Sequence, residues 1–225
     1  SLSYGLGQSI ANGGAMSVEM VVDTVMEQIE TENILAERPI GSAERVVVIG
    51  AHLDSVPAGP GINDNGSGVS ALLSIAQRWA ETDRVTQNRL RFAFWGAEEV
   101  GLLGSMHYVE ALSVVDRDKI LMNLNFDMIA SPNYVRFIYD GDGSQMGQQG
   151  PQGSGQIESV FEDYFDTIGL DYDSTAFDGR SDYGPFIAAG IPAGGVFSGA
   201  EGVKNIEQSL LYGGESQVPF DVCYH

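Results

Sequence analysis

Cysteine is almost missing from this chain: among 225 residues the only one is Cys223. A single thiol cannot form an internal disulfide, so the fold has to rest on a buried core, for which a hydrophobic content of 43% is ordinary. An isolated thiol can bind a metal ion. In an extracellular protein, however, a leftover cysteine more often indicates that its disulfide partner is missing.

Basic residues are also scarce. The chain has 11 Lys and Arg against 31 Asp and Glu, so its formal net charge is −20. Nucleic acids and anionic membranes attract proteins through Lys and Arg patches, and we therefore expect neither as a partner. We interpret the acidity as that of a soluble, extracellular or salt-adapted protein, and part of it as metal ligands.

Long apolar runs and several catalytic motifs are lacking as well. A membrane-spanning helix needs about 20 apolar residues, and no stretch approaches that length. No charged start followed by an apolar block indicates a signal peptide, and the chain opens on what reads as mid-domain sequence. The absence of GxSxG, CxxC, HExxH and Walker motifs excludes serine hydrolases, thioredoxins, zincins and P-loop proteins.

Strand and helix patterns alternate along the chain. β-branched, aromatic or alternating runs predict strands, and apolar residues at three- and four-residue spacing predict helices. The predicted strands cover residues 17–26, 45–51, 90–97, 120–129, 134–139 and 191–197; helices are predicted at residues 67–81, at residues 157–168, and after residue 97 with Leu102, Leu103, Met106 and Val109 inward. This order predicts an α/β fold, a three-layer sandwich with a central, mostly parallel mixed sheet flanked by helices.

The candidate chemistry lies at the ends of these strands. Five strings carry metal-binding side chains: GAHLDSV (50–56), GINDNGSG (61–68), WGAEEVGLLGS (95–105), LNFDMI (124–129) and DVCYH (221–225). Each falls at a strand end or in the loop after one. Because sites in parallel sheets collect at the carboxyl ends of strands, motif and architecture agree.

His52 and Asp54 can face the same side of a strand end. A ligand histidine usually donates its second ring nitrogen to a carboxylate, which makes Asp54 a supporting residue for His52. Alone this pair is a weak signal, since polar pairs at strand ends are common. Asp64, in a Gly- and Asn-rich turn before a helix, is either a helix cap or a metal ligand, and its surroundings do not decide between the two.

Glu98 and Glu99 are the sharpest local signal. Adjacent carboxylates after an apolar strand repel each other, and burial raises their pKa. A metal ion relieves the repulsion for one of them and leaves the other free to act as a general base. Asp127 interrupts an apolar strand, where a carboxylate is costly unless it is hydrogen-bonded or metal-bound. His107 lies in mid-helix without an acidic partner, and we assign it no role.

Two further stretches are weaker signals. Tyr224 and His225 close the chain, where a histidine alone would mean nothing. Residues 140–155 form a Gly- and Gln-rich stretch whose Asp140 and Asp142 faintly resemble a calcium loop. The glycine and the closing glutamate of that motif are missing, so we interpret the stretch as a solvated loop.

Together, in this order, the five strings resemble the secreted co-catalytic di-zinc aminopeptidases of the bacterial leucyl aminopeptidase type, relatives of glutamate carboxypeptidase. The resemblance runs from about residue 46 to residue 225. It implies two zinc ions per chain, with His52 and Asp127 on one, Glu99 and His225 on the other, and Asp64 bridging both.

The resemblance also implies catalytic and substrate-binding roles. Glu98 would be the general base that activates a bridging water, and the Tyr224 hydroxyl would steady the oxyanion. In DGRSDYGPF, the backbone carbonyl of Arg180 would receive the substrate's free amine together with Glu98 and Asp127. In GGVFSGAEG, Phe197 would form a wall of the pocket for the first side chain. The Asp64–Asn65 peptide is expected to be cis.

The resemblance extends to the ends of the chain. Residues 1–25 are similar to the closing strands of an inserted protease-associated domain, so we expect residues 26–225 to be the zinc peptidase catalytic domain. Relatives continue past His225 with a second cysteine and a last helix. By resemblance, the catalytic domain is therefore truncated at its C-terminus, Cys223 lacks its partner, and the second zinc depends on a terminal residue.

We therefore predict a secreted, monomeric zinc aminopeptidase, an exopeptidase that removes large apolar residues from the N-termini of peptides. One alternative is a glutamate-carboxypeptidase-like enzyme for acidic peptides, which needs a cluster of Arg and Lys; Arg180 is the only cation near the motifs. The other alternative is a binding ectodomain that has lost its zinc, although no ligand is substituted.

Overall fold

The β-branched run at residues 45–51 forms the middle of the fold. In the computed structural model, which describes residues 4–13, 19, 21–25 and 27–225, this run lies in an 11-residue strand whose last seven residues are all buried. A strand that is apolar on both faces needs cover on both sides, and a sheet between two helix layers supplies it.

Among the described residues the sheet has seven strands: β1 (Ile34–Glu37), β2 (Ser42–His52), β3 (Asn88–Trp95), β4 (Ile120–Phe126), β5 (Phe137–Tyr139), β6 (Asp173–Thr175) and β7 (Ala193–Phe197). Their order is β1-β3-β2-β4-β7-β5-β6. Strands β3, β2, β4 and β7 run parallel to one another, and β6 runs parallel to β5. Strand β1 is antiparallel to β3, and β5 is antiparallel to β7. The expected mixed, mostly parallel sheet is confirmed.

Helices cover both faces of this sheet. In the part of the chain that contains the sheet, the helices are α2 (Gly66–Ala80), α3 (Leu103–Ala111), α4 (Val114–Asp118), α5 (Ser154–Ile168), α6 (Gly184–Ala188) and α7 (Ile206–Tyr212); a further helix, α1 (Tyr4–Asn12), precedes that part. On one face, Val47 and Ile49 of β2 belong to the same buried cluster as Leu72 of α2. On the other face, Val48 joins a cluster with Tyr108 of α3 and Phe186 of α6. The predicted three-layer sandwich is therefore confirmed.

Helix α3 presents a different face from the one predicted. Leu103 is 50% exposed and Met106 is 38% exposed, whereas Tyr108 and Val109 are buried. The inward face begins with Gly104, because a Cβ there would lie 2.2 Å from the backbone oxygen of Gly96. Only a residue without a side chain permits this approach, and it fixes the rotation of the helix. The expectation that Leu103 and Met106 point inward is wrong.

The strand predicted at the N-terminus is not found among the described residues. Of the strand predicted at residues 17–26, residues 17, 18, 20 and 26 lie outside the described residues. Glu19 and residues 21–25 are exposed and belong to no strand. The helix α1 stands where the resemblance implied closing strands. None of the described side chains in this alternating pattern is buried. An alternating pattern predicts a strand only when one of its faces packs against an apolar surface.

The chain divides into two compact units, residues 1–30 and residues 31–225. The first contains α1, and the second contains the whole sheet and the remaining helices. Across the described residues, none of the helices combines the length and the apolar character needed to cross a membrane.

Candidate active site

Three of the five strings meet at one edge of the sheet. Strand β2 ends at His52, β4 ends one residue before Asp127, and β3 ends three residues before Glu98. These strands are parallel neighbours, so their carboxyl ends lie side by side. The sequence predicted that His52, Asp127 and the Glu98–Glu99 pair lie at strand ends, and the strand order places those ends side by side.

His52 is fully buried and surrounded by carboxylates. Its Nε2 lies 3.1 Å from Asp64 Oδ1 and 3.1 Å from Asp127 Oδ1. Its Nδ1 lies 3.0 Å from the backbone oxygen of Asp54 and 3.7 Å from that residue's Oδ1. Burial by itself lowers the pKa of His52, but Asp127, Asp54 and Asp64 outweigh it and raise the pKa well above its ordinary value. The surroundings of His52 thus strongly favour a positive charge.

Asp64 lies between the two histidines of the site. Its Oδ1 faces His52, and its Oδ2 lies 3.3 Å from Nε2 of His225. The same Nε2 is 3.1 Å from Oε2 of Glu99. One carboxylate therefore reaches both imidazoles with different oxygens. This is the placement that the resemblance implied for a bridging ligand.

The five predicted ligands fit a zinc centre. Zinc prefers imidazole nitrogens and carboxylate oxygens, the donors that converge here. His52, Asp64 and Glu99 offer ligand atoms within 4.8 Å of one another, and so do His52, Glu98 and Asp127. Oε1 of Glu99 is buried and has no hydrogen-bond partner. A buried carboxylate oxygen without a partner is costly in a closed protein interior and is satisfied when a cation binds.

Asp54 links His52 to the glutamate pair. Its Oδ1 accepts a hydrogen bond from the backbone N–H of Glu98 at 3.0 Å, and its Oδ2 accepts one from that of Glu99 at 3.1 Å. Burial raises the pKa of Asp54, but His52 and these two backbone hydrogen bonds outweigh it and lower the pKa. The backbone oxygen of Asp54 therefore orients the histidine, where the sequence predicted its carboxylate, and the carboxylate orients the turn that carries the two glutamates.

Glu98 is the carboxyl group of the site with a strongly raised pKa. Burial raises this pKa to about 9, and Asp127, Asp182 and Glu99 add to it against the opposing charge of His52. Ala97, just before it, has a φ of 57°. A non-glycine residue in this region is uncommon, and such backbone is typical of functional sites.

Asn63 was missed by the sequence analysis, although it tethers three parts of the site. Its Nδ2 donates to Oδ2 of Asp221 at 2.7 Å and to Oγ of Ser131 at 3.1 Å. Its Oδ1 accepts from the backbone N–H of Ala130 at 3.0 Å. Asn63 thereby ties the loop of Asp64 to the segment after β4 and to the C-terminal segment. Its place beside Asp64 in GINDNGSG was the only signal in the sequence.

Ser181 and Asp182 were also missed. The hydroxyl of Ser181 donates to Oδ2 of Asp127 at 2.6 Å and accepts from Nδ2 of Asn125 at 2.9 Å, which orients the Asp127 carboxylate. Asp182 is fully buried, and desolvation is the main cause that raises its pKa to about 7. Both residues lie in the string DGRSDYGPF, where only Arg180 had been singled out.

A cavity of about 560 Å³ opens beside the carboxylates. Glu98, Glu99 and Asp127 line part of it, and a group of largely apolar side chains also lines it: Leu102, Met128, Phe137, Tyr139, Phe197 and Phe220. Phe197 stacks on the ring of Phe137 with a centroid distance of 5.9 Å. The cavity therefore joins a charged end to an aromatic end.

Tyr224 and Arg180 lie at this cavity as well. The Tyr224 ring stacks on the imidazole of His225 at 3.9 Å. Desolvation first, and then Asp64 and Glu201, raise the pKa of Tyr224 to about 12, so its hydroxyl stays protonated and able to donate a hydrogen bond. The guanidinium of Arg180 is exposed and pairs with Glu201 at 3.3 Å. The Asp64–Asn65 peptide is cis, as expected.

Comparison with known proteins agrees with this geometry. The sequence profile of Peptidase family M28 matches residues 33–225. The chain is 51% identical over 216 residues to a probable leucine aminopeptidase 2 from Aspergillus oryzae, covering 96% of this chain and 43% of that protein. It is 50% identical over 223 residues to an aminopeptidase from Pseudomonas aeruginosa, covering 99% of this chain and 41% of that protein.

A solved structure shares the fold. A zinc aminopeptidase from Bacillus subtilis superimposes with a TM-score of 0.64 and 32% identity, covering 74% of this chain and 40% of that protein. The chain thus spans about two fifths of the length of the proteins that it matches. The family profile, in contrast, covers nearly all of the second unit. The chain belongs to Peptidase family M28.

Proposed function

We propose that this chain carries the catalytic centre of a zinc-dependent aminopeptidase. The observation that carries the proposal is the position of Asp64, with one oxygen 3.1 Å from His52 and the other 3.3 Å from His225. A single carboxylate placed in this way suits a centre for two adjacent cations. Two relatives named as aminopeptidases, 51% and 50% identical to this chain, also support an aminopeptidase function.

We assign two zinc ions to each chain. His52 and Asp127 would hold one, Glu99 and His225 the other, and Asp64 would contact both. Bound zinc would supply a Lewis acid that polarises the scissile carbonyl and makes a water molecule more acidic. Asp54 and Ser181 would hold the ligands in place through the hydrogen bonds described above.

Glu98 is the proton carrier in this proposal. It is not needed as a zinc ligand. Burial raises its pKa in the metal-free site, nearby zinc would lower that pKa again, and a carboxylate poised between these two effects suits a group that takes up and returns a proton. Glu98 would take a proton from the attacking water and deliver it to the nitrogen of the scissile bond. The leaving group then departs as a neutral amine and not as an anion. The Tyr224 hydroxyl would donate a hydrogen bond to the oxygen that becomes negative.

The substrate would be a peptide with a free N-terminus and a large apolar first side chain. The carboxylates of Glu98 and Asp127, with the backbone carbonyl of Arg180, would receive the ammonium group. The aromatic end of the cavity, including Phe197, would receive the side chain. The name leucine aminopeptidase of one relative agrees with this preference.

The alternative of a carboxypeptidase for acidic peptides has little support. Recognition of substrate carboxylates needs unpaired cations. Arg180 lies at the cavity but pairs with Glu201. A zinc-free binding protein is also disfavoured, since all five predicted ligands are present and converge.

The proposal can be tested with the zinc-loaded chain. We expect it to release p-nitroaniline from leucine p-nitroanilide but not from the N-acetylated compound, because blocking removes the ammonium group. Glu98→Gln should lower the rate by at least about 100-fold, the usual minimum for losing an acid–base group, with unchanged zinc content. Glu110→Gln, at an exposed position outside the site, is the matched control.

Three results would contradict the proposal. Hydrolysis of N-acetylated acidic dipeptides would favour the carboxypeptidase. A bound peptide without turnover, in chain that holds its zinc, would favour the binding protein. Wild-type turnover by Glu98→Gln would remove Glu98 from the mechanism.

We further propose that the protein acts outside the cell as a monomer and that residues 1–25 close a protease-associated domain. The strongly negative charge and the peptide substrate support an extracellular location. Cell fractionation of the source organism and light scattering of the purified protein test the location and the monomeric state. A longer version of the protein that lacks a folded domain ahead of residue 26 would contradict the last proposal.

A further inference from the structure

A second group of carboxylates lies away from the zinc site, where β5 leads into the loop before α5. Asp140 directly follows β5, Asp142 lies two residues on, and Glu158 lies in the second turn of α5. The three residues offer carboxylate oxygens within 4.8 Å of one another. The interpretation of this stretch as a solvated loop needs correction at its start, because Asp140 is fully buried.

Each of these carboxylates uses one oxygen to hold the backbone around the loop. Oδ2 of Asp140 accepts from the N–H groups of Gln145, at 3.0 Å, and of Met146. Oδ1 of Asp142 accepts from the N–H of Ser144 at 2.8 Å. Oε2 of Glu158 accepts from the N–H of Asp142 at 3.1 Å. Each carboxylate therefore keeps a second oxygen that these backbone bonds do not use.

The remaining oxygen of Asp140 lacks a hydrogen-bond partner. Oδ1 of Asp140 forms no hydrogen bond, and the residue is 0% exposed. Because Oδ2 is taken by the loop backbone, Oδ1 is the oxygen free to face Asp142 and Glu158. A buried carboxylate oxygen without any partner is destabilising unless an ion or water satisfies it.

The cluster of three carboxylates also carries negative charge without a basic partner in the part of the chain that the structure describes. Asp140, Asp142 and Glu158 place up to three negative charges together. Within the described ranges, none of the three forms an ion pair with a Lys, Arg or His within 4.0 Å. Glu158 is itself only 5% exposed. Burial first, and then the charges of Asp142 and Asp140, raise the pKa of Glu158, so a counter-charge would stabilise the cluster.

We propose that Asp140, Asp142 and Glu158 bind a calcium ion. Calcium takes six to eight oxygen ligands in flexible geometry, and carboxylates, loop carbonyls and water supply such a set. Zinc sites in proteins usually include at least one histidine or cysteine ligand, which this cluster lacks, and magnesium requires a stricter octahedron. The closing glutamate that the sequence motif lacked is supplied by Glu158, 16 residues after Asp142. The ion would fasten β5, which lines the substrate cavity with Phe137 and Tyr139, to α5.

The test uses the whole chain loaded with zinc, so that calcium cannot occupy the first site. Isothermal titration calorimetry with calcium chloride should show one ion bound per chain. The midpoint of thermal unfolding should rise by about 5–10 °C at calcium concentrations roughly 100-fold above Kd. Magnesium chloride at equal ionic strength should raise the midpoint less.

Conservative variants locate the ion. Asp142→Asn and Glu158→Gln remove a charge but keep an oxygen for the backbone hydrogen bond, so the loop can still fold. Each should weaken calcium binding at least about tenfold, as loss of a ligand charge does. Asp118→Asn and Glu110→Gln remove the same charges at exposed positions outside the cluster and should leave calcium affinity unchanged.

Two outcomes would overturn the proposal. If the zinc-loaded wild-type chain shows neither heat of binding nor a calcium-dependent midpoint, no calcium site exists, and this result does not depend on any variant. If calcium acts equally on wild-type chain, Asp142→Asn and Glu158→Gln, the ion binds elsewhere. Neither outcome bears on the proposed peptidase activity, because the readouts are binding and stability.

Discussion

Asp64 is free to lie between the two histidines because the adjacent residue, Asn65, caps helix α2. From the sequence it was either the cap of α2 or a metal ligand. In the structure Asn65 is the cap, since its Oδ1 accepts from the N–H of Gly68 at 3.0 Å. With the cap supplied by Asn65, both oxygens of Asp64 remain free to face His52 and His225. Capping and metal binding are therefore divided between adjacent residues.

His225 allows a direct test of the second zinc site. We expect His225→Gln to reduce the zinc content from two to about one per chain, because Glu99 would lose the imidazole 3.1 Å away. Elemental mass spectrometry on the purified, zinc-loaded protein measures this. His107→Gln is the matched control, since His107 is exposed and outside the site. Equal zinc content in both variants would show that His225 is not a ligand.

Glu98 predicts how the stability of the zinc-free chain depends on pH. Its pKa is about 9 in the folded chain and near 4.5 when unfolded. Between these values the folded chain retains a proton that the unfolded chain releases, so stability falls as pH rises. Glu98→Gln removes this penalty. We expect its unfolding midpoint to exceed that of the wild type by about 2–6 °C at pH 8 in the presence of a chelator, and by less at pH 5.

The control for this measurement is Glu110→Gln, whose side chain is exposed. Its midpoint should follow the wild type at both pH values. A Glu98→Gln chain that is less stable than the wild type at pH 8 would show that the Glu98 carboxylate is stabilised, not destabilised, by its surroundings.

At the level of elements, the start of α2 and the end of β4 approach unusually closely. A Cβ on Gly68 would lie 2.2 Å from the backbone oxygen of Phe126, the residue before Asp127. Nδ2 of Asn65 donates to the same oxygen at 3.0 Å. This contact sets the distance between the loops that carry Asp64 and Asp127, so a packing change there should reach the zinc site.

We therefore expect Gly68→Ala to destabilise the fold and to weaken zinc binding. Overpacking against backbone costs about 1–3 kcal/mol, since backbone cannot move aside as a side chain can. Denaturant unfolding and zinc content measure the two effects. Gly5→Ala, in helix α1 where a Cβ meets nothing within 4 Å, should leave the zinc content unchanged and should not lower the stability, because alanine favours a helix more than glycine does. Wild-type stability of Gly68→Ala would mean that the two elements separate easily.

At the scale of the whole molecule, the division after residue 30 can be tested by proteolysis. Residues 27–32 are exposed and have no regular secondary structure, and they include Glu27, Glu30 and Glu32. A glutamate-specific protease should cut here before it cuts the sheet, because exposed, irregular backbone is cleaved first. Mass spectrometry should find a fragment that begins within residues 28–33 and retains zinc. Earlier cleavage inside residues 34–225 would contradict the division.

The sequence by itself determined the layer architecture and the residues available for chemistry. The run at residues 45–51 could only be a strand buried on both faces, and the Glu98–Glu99 pair after an apolar strand required a special environment. These features are local: the burial pattern selects strand or helix, and the strand direction then places the next residue at the sheet edge. The position of His52, Glu98 and Asp127 at or just after a strand end follows from that alone.

Only the tertiary structure decided which distant groups meet. Asn63 bonds to Asp221 across 158 positions of the chain, and Glu158 closes the acidic cluster from a helix beyond the loop. The face of α3 was decided by the contact of Gly104 with Gly96, against the apolar pattern of its own sequence. Local sequence sets backbone preference and amphipathic character. Long-range contacts depend instead on how the packed layers bring loops together, because packing energy belongs to pairs of surfaces and not to either segment alone.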